Sequence, residues 1–106
     1  MNTVSIIIPT LNEAGNIERL INLIFSETRA HNLAAEVIVV DDGSQDGTRE
    51  TVTELSSRLP VTLISRDGRQ GLARAVVEGA HAAQNDLVIV MDGDFSHSPE
   101  YIPHLA

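Results

Sequence analysis

The stretch Glu36-Val37-Ile38-Val39-Val40-Asp41-Asp42-Gly43-Ser44 decides the fold. Val37 to Val40 are consecutive apolar, β-branched residues with no polar alternation, and Asp-Asp-Gly-Ser ends them with turn formers. A strand that is apolar at every position must be covered on both faces, which is the situation of a parallel sheet flanked by helices. Toward the N-terminus, Ile17, Leu20, Ile21 and Ile24 recur at helical spacing and predict a helix from about Glu13 to about His31. Before it, Val4 to Ile8 reads as another buried strand, stopped by Pro9. Toward the C-terminus, Val52, Leu55 and Leu59 mark a helix entered through Asp46-Gly47-Thr48 and closed before Pro60. Val61 to Ser65 makes a third strand. Leu72, Ala75, Val76, Gly79 and Ala83 give a third helix whose small-residue face suits close packing on a sheet. Leu87 to Met91 is a fourth strand, and Ser98-Pro99-Glu100 reads as the N-cap, first-turn proline and acidic first turn of a further helix.

The order β-α-β-α-β-α-β, with a helix beginning after it, places the chain in the α/β class as a Rossmann-like open, mainly parallel sheet. Residues 1–106 read as a single domain. Because the pattern breaks off where another helix begins, the expectation is the N-terminal part of a longer fold.

Composition removes whole classes of function. There are 15 acidic residues against 7 basic ones, all arginine, for a net charge of −8. No basic cluster exists to follow a nucleic-acid backbone or hold an anionic membrane surface, so no nucleic-acid partner is expected. Without lysine, neither a Schiff base nor a P-loop lysine can form; without cysteine, there is no disulfide, thiolate metal site or Cys nucleophile. No apolar run approaches the ~20 residues of a membrane span, and Met1-Asn2-Thr3-Val4 lacks the basic start of a signal peptide. A soluble, cytoplasmic domain is the expectation.

In open parallel sheets, ligands bind outside the carboxyl ends of the strands. Here the first strand ends in Pro9-Thr10-Leu11-Asn12-Glu13, the second in Asp41-Asp42-Gly43-Ser44 and the fourth in Asp92-Gly93-Asp94. Glu13, Asp41, Asp42, Asp92 and Asp94 therefore share one rim, while the third strand ends in Arg66-Asp67-Gly68-Arg69. Carboxylates crowded together recruit a cation or raise a pKa, and hard oxygen donors suit Mg²⁺ or Mn²⁺. An Asp-x-Asp pair after a strand leaves coordination positions open for diphosphate oxygens. Each segment also has a purely structural reading. Thr10-x-x-Glu13 fits a capping box, Asp41-Asp42-Gly43-Ser44 a turn plus N-cap, and Asp92-Gly93-Asp94 a solvated loop. The amides of Gly71-Leu72-Ala73 open the third helix, where an anion could bind.

Ser5-Ile6-Ile7-Ile8-Pro9-Thr10-Leu11-Asn12-Glu13, Val39-Val40-Asp41-Asp42-Gly43-Ser44-Gln45-Asp46-Gly47-Thr48 and Met91-Asp92-Gly93-Asp94 resemble the signatures of family 2 glycosyltransferases with the GT-A fold. Gly71-Leu72-Ala73-Arg74-Ala75-Val76-Val77-Glu78-Gly79 and Asp94-Phe95-Ser96-His97-Ser98-Pro99-Glu100 resemble the branch of polyprenyl- and dolichyl-phosphate mannose synthases. The resemblance implies a nucleotide-sugar site with Pro9, Leu11 and Glu13 around the base and ribose and Val39 and Asp41 beside the base. It also implies Asp92 and Asp94 as the catalytic metal motif, Gly93 backing the sugar nucleotide, and Ser96 as a further metal ligand where relatives carry Gln. Family members often carry an aromatic residue where Leu11 stands, so base stacking is expected to be weaker.

By the same resemblance the reaction is metal-assisted transfer of mannose, with inversion, from a nucleotide sugar to a lipid phosphate. GDP-mannose is the favoured donor and UDP-glucose the alternative. The acceptor half lies downstream, so the 106-residue chain is expected to show little turnover, and the longer protein is expected at the cytoplasmic face of a membrane. Two other readings compete: a non-catalytic nucleotide-binding module, and a haloacid-dehalogenase-type phosphatase suggested by Asp92-Gly93-Asp94-Phe95-Ser96. The latter needs its motif after the first strand and a lysine, and this chain offers neither.

Overall fold

A computed structural model describes residues 2–66 and 71–91. The elements run β1 (Asn2–Thr10), α1 (Ile17–Ala30), β2 (Leu33–Asp41), α2 (Thr48–Ser56), β3 (Val61–Ser65), α3 (Leu72–Ala82) and β4 (Leu87–Val90). All four strands pair in parallel in the order β3-β2-β1-β4. The chain steps outward from β1 through β2 to β3 and then crosses to the other side of β1, which creates a topological switch between β1 and β4.

The alternation of side chains along each strand divides the core in two. Ile6, Ile8, Val37 and Val39 face one way and pack with Ile17, Leu20, Ile21 and Ile24 of α1 and Val52 and Leu55 of α2. Ile7, Ile38 and Val40 face the other way and pack with Ala75 of α3. The apolar spacing read from α1 is the buried face observed, with Phe25 and Thr28 added to it. The small-residue face of α3 lies against the sheet as expected. A Cβ on Gly79 would stand 2.6 Å from Cγ2 of Ile7, so only glycine lets this helix sit at its observed depth.

Several boundaries differ from expectation: β1 begins at Asn2 rather than Val4, β2 at Leu33 rather than Glu36, and β4 ends at Val90 rather than Met91. Pro9 does not stop β1, which pairs on through Pro9↔Val40 and Thr10↔Asp41. Met91 N donates to Ile7 O, and Asp42 N donates to Thr10 O. Residues of β1 thus alternate between the β4 and β2 sides, and Pro9, like Ile7, faces β4. The β1–β4 ladder ends at Ile7↔Val90, as expected where the next β1 residue on that side has no N–H to donate, while pairing on the β2 side continues.

The first helix begins at Ile17 rather than Glu13, because Asn12 takes a left-handed φ of 56° and the backbone N–H groups of Asn12, Glu13 and Ala14 donate to the loop after β2. The capping box does not form: the Thr10 hydroxyl donates to Asp41 instead, and Asn16 occupies the N-cap position without a side-chain bond. The helix read at Ser98-Pro99-Glu100 lies outside the described residues. Among the described residues no helix is long and apolar enough to cross a membrane.

Candidate functional site

The carboxyl ends of β1 and β2 continue into two loops that hold each other. The Asn12 N–H donates to Ser44 Oγ (2.7 Å) and the Gln45 N–H to Asn12 Oδ1 (3.0 Å). The Glu13 N–H donates to Thr48 Oγ1 (2.9 Å) and the Ala14 N–H to Asp46 Oδ2 (3.1 Å). Asp46 also accepts from the hydroxyl and the backbone N–H of Thr48. These bonds, led by the one from the Thr48 hydroxyl, hold the Asp46 carboxyl below the usual carboxylate range. The polar residues of Thr10-Leu11-Asn12-Glu13 and Ser44-Gln45-Asp46-Gly47-Thr48 are thus largely spent on satisfying one another's backbone, as loops at a sheet rim must.

Asp41 anchors this arrangement. It is fully buried, and its carboxylate accepts from Thr10 Oγ1 (2.7 Å), Ser44 Oγ, the N–H groups of Ser44 (2.9 Å) and Gly43 (3.2 Å), and Arg49 Nε (2.8 Å). Burial raises its pKa. The Arg49 guanidinium, the Ser44 and Thr10 hydroxyls and the Ser44 amide outweigh that and lower it from 3.8 to about 2. Arg49 sits in the first turn of α2, and its Nη2 also reaches the carbonyl of Arg66 at the end of β3 (3.4 Å). One ionised carboxylate thereby ties the ends of β1, β2 and β3 together.

Beside this scaffold, on the face of the sheet that carries α3, lies a cavity of about 180 Å³ lined by Pro9, Thr10, Leu11, Val40, Asp42, Arg66, Gly71 and Ala75. Among the described residues its lining is largely apolar, with charge at Asp42 and Arg66. The Arg66 side chain is 3% exposed. Its Nη2 donates to the carbonyl of Gly71 (3.0 Å) and stands 3.3 Å from Asp42 Oδ1, while Nη1 stands 3.6 Å from Glu78 Oε1 on α3. Gly71 precedes α3 at a φ of 90°, a left-handed value suited to glycine, and this turn presents its carbonyl to Arg66.

The residues expected at a nucleotide site fall as follows. Pro9 and the exposed Leu11 line the cavity. Glu13 is half-buried in the loop clasp, where its carbonyl accepts from the N–H groups of Asn16 and Ile17. Val39 and Asp41 are buried: Val39 packs toward α1 and α2, and the carboxylate of Asp41 is enclosed by the loop bonds described above. Their neighbours Val40 and Asp42 line the cavity, because successive strand residues point to opposite faces. Asp92, Gly93, Asp94 and Ser96 lie outside the described residues. Among those described, no three acidic or histidine side chains gather as a metal site would require. Sequence reading did not single out Arg66 as a site residue; its signal was a basic residue ending one strand on an otherwise acidic rim.

Comparison with known proteins agrees with this architecture. Residues 5–106 match Glycosyl transferase family 2. A dolichol-phosphate mannosyltransferase of Pyrococcus furiosus is 46% identical over 102 residues, covering 96% of this chain and 28% of that protein. The Saccharomyces cerevisiae protein of the same name is 36% identical over 103 residues, covering 95% and 39%. Among solved structures, the mannosyltransferase PcManGT of Pyrobaculum calidifontis, in complex with GDP-Man and Mn²⁺, superposes with a TM-score of 0.78 at 30% identity, covering 97% of this chain and 32% of that one. Residues 1–349 of S. aureus TarS, in complex with UDP-GlcNAc, superpose with a TM-score of 0.72 at 26% identity, covering 89% and 27%. The chain spans about a third of the length of the curated relatives it matches. The parallel α/β sheet is that of the GT-A glycosyltransferases, and the chain belongs to glycosyl transferase family 2.

Proposed function

We propose that this chain is the donor-binding part of a glycosyltransferase that moves mannose from GDP-mannose to a dolichyl or polyprenyl phosphate. The observation that carries the reading is the cavity bounded by Pro9, Leu11, Val40, Asp42 and Arg66 at the carboxyl ends of β1, β2 and β3, where a Rossmann-like sheet takes its ligand. Support for the sugar and the acceptor comes from relatives named dolichol-phosphate mannosyltransferase and from a similar structure that holds GDP-Man and Mn²⁺. A UDP-sugar is the second donor reading, because the TarS relative binds UDP-GlcNAc.

In this reading the base lies in the cavity, with Pro9, Leu11 and Val40 as its apolar walls and Asp42 as an acceptor for a base N–H. Glu13, held in the clasp, stands toward the ribose. Asp92 and Asp94, with the Ser96 hydroxyl, are hard oxygen donors of a kind that fits Mg²⁺ or Mn²⁺. When bound, the cation would neutralise charge developing on the leaving nucleoside diphosphate. A phosphate acceptor is already ionised at neutral pH, so displacement with inversion at the sugar carbon asks no residue of this chain to act as a strong base.

Calorimetry of the chain with GDP and with UDP, each with Mn²⁺, tests the proposal, repeated with Asp94→Ala. Binding of GDP that depends on Mn²⁺ and falls at least tenfold in the variant is the expected result. Equal metal-dependent affinity in the variant would reject the metal assignment, and absence of binding to either nucleotide would reject the donor site. Robust mannosyl transfer by this chain alone to a lipid phosphate would show that the acceptor site lies within it.

A further inference from the structure

At the amino-terminal end of β4, away from the cavity at the strands' carboxyl ends, a second set of polar contacts holds the sheet. Ser5 of β1 is fully buried and stands between Glu36 of β2 and Val88 of β4 in the parallel register. Its hydroxyl donates to Glu36 Oε2 (2.6 Å), and the Gln84 N–H donates to the same oxygen (2.6 Å). The Asn85 N–H donates in turn to Ser5 Oγ (3.2 Å). Residues 84 and 85 belong to the short connection between α3 and β4. Two consecutive amides of that connection are thus fixed to β1 and β2 just before the strand begins.

These bonds supply what the side chains of the strand do not. Leu87, Val88, Ile89, Val90 and Met91 are apolar at every position, so a slip along β1 would still offer aliphatic groups to both faces. The hydrophobic pattern alone therefore fixes the register weakly. The strand has four residues, and among the described residues it pairs with β1 alone. A slip would pull the Gln84 and Asn85 amides off their acceptors, and unmet polar groups cost more than an exchange of one aliphatic side chain for another. Each residue of slip moves the carboxyl end of the strand by about 3.3 Å, whereas a metal–ligand distance tolerates only about 0.2 Å.

We infer that Ser5 and Glu36 are positioning residues for the cation: they lock the register of β4 on β1 and so set where the chain after Met91 delivers Asp92 and Asp94. The inference rests on the metal assignment in the donor-site reading above and adds to it the residues on which the placement of that motif depends. The lock sits at one end of β4, and its effect is read at the other.

Calorimetry of the chain with GDP, in Mn²⁺ and in EDTA, tests this on the native sequence, Ser5→Ala, Glu36→Ala and Glu36→Gln, with melting curves to confirm folding. Ser5→Ala removes the acceptor of the Asn85 N–H and Glu36→Ala that of the Gln84 N–H, whereas Glu36→Gln keeps a carbonyl oxygen in place. In the two alanine variants the affinity in Mn²⁺ is expected to fall about tenfold. The affinity in EDTA should stay within about twofold, because other residues line the cavity. Glu36→Gln should bring the affinity in Mn²⁺ back to within about threefold of native. In the metal-free protein, amide exchange at Met91, which donates to Ile7 O, should accelerate about tenfold in the alanine variants while the centre of the β1–β2 pairing is unchanged.

Equal losses in Mn²⁺ and EDTA would overturn the inference by making the contacts a support of the whole sheet. Unchanged affinities in both alanine variants, or no recovery in Glu36→Gln, would overturn it as well. Should Glu36→Ala not fold, Ser5→Ala decides by the same ratio. If the native chain binds GDP equally with and without Mn²⁺, the metal assignment fails and takes the positioning role with it, whereas unaltered Met91 exchange in the variants would reject the register lock itself.

Discussion

The hydroxyl of Thr10, at the end of β1, donates to Oδ1 of Asp41, at the end of β2, across 2.7 Å, and both side chains are buried. This bond joins two strand ends at paired positions of the sheet. It also helps to keep Asp41 ionised, with its pKa lowered to about 2.

Stability should therefore fall at acid pH through this group. The folded pKa of about 2 lies below the ordinary value of 3.8, so the stabilisation is complete above about pH 4 to 5 and is lost as pH falls toward 2. Its size follows from the shift at about 1.4 kcal/mol per unit, giving about 2 kcal/mol. Asp41→Asn should remove most of this pH dependence and destabilise the native state at pH 7 by about 2–4 kcal/mol, because Arg49 loses its buried partner. Urea denaturation at pH 3, 5 and 7 measures both effects.

Thr48 carries the clasp between the two rim loops. Thr48→Val keeps the shape but leaves the Glu13 N–H without its acceptor, at a cost of about 1–2 kcal/mol. Hydrogen exchange at the Glu13 and Ala14 amides should accelerate far more than exchange in the centre of β1. Uniform acceleration along β1 would show that the loops do not open separately from the sheet.

Gly79 sets the depth of α3. Alanine would gain about 1 kcal/mol in helix propensity, yet its Cβ would overlap the stiff, fully buried Ile7 at 2.6 Å. Overpacking of this kind costs about 1–3 kcal/mol. Gly79→Ala should therefore be neutral to mildly destabilising and Gly79→Val strongly so. Gly79→Ala combined with Ile7→Val, which shortens the opposing side chain, should recover part of the loss in thermal denaturation.

Leu11 is 40% exposed at the lip of the cavity. A base packed there meets an aliphatic wall, whereas an aromatic ring would add stacking worth about 1–3 kcal/mol. Leu11→Tyr should tighten GDP binding by about fivefold or more in calorimetry, with little change in melting temperature.

The sheet and its helices were legible in the sequence because uninterrupted apolar runs and helical spacing both report burial directly. Pro9 and the start of α1 were not, since each depends on where hydrogen bonds go. Whether Pro9 interrupts a ladder turns on which neighbour it faces: pairing with β2 runs on past it, and pairing with β4 does not. Whether Glu13 begins a helix turns on a loop more than thirty residues away that takes the backbone donors first. The cavity lining shows a similar limit. Alternation along β2 separates Val39 and Asp41 from Val40 and Asp42, but the strand by itself does not reveal which of its faces looks toward α3. Arg66 was visible as an odd cation on an acidic rim, yet its near-complete burial exists only once β3, α3 and the Gly71 turn come together.

The mutual hold of the two rim loops bears on protein engineering. Anyone grafting this pair of rim loops onto another parallel sheet must transplant both segments together, with the β1–β2 register that aligns Thr10 with Asp41. A donor loop moved alone would arrive with unsatisfied amides and no counterpart to receive them.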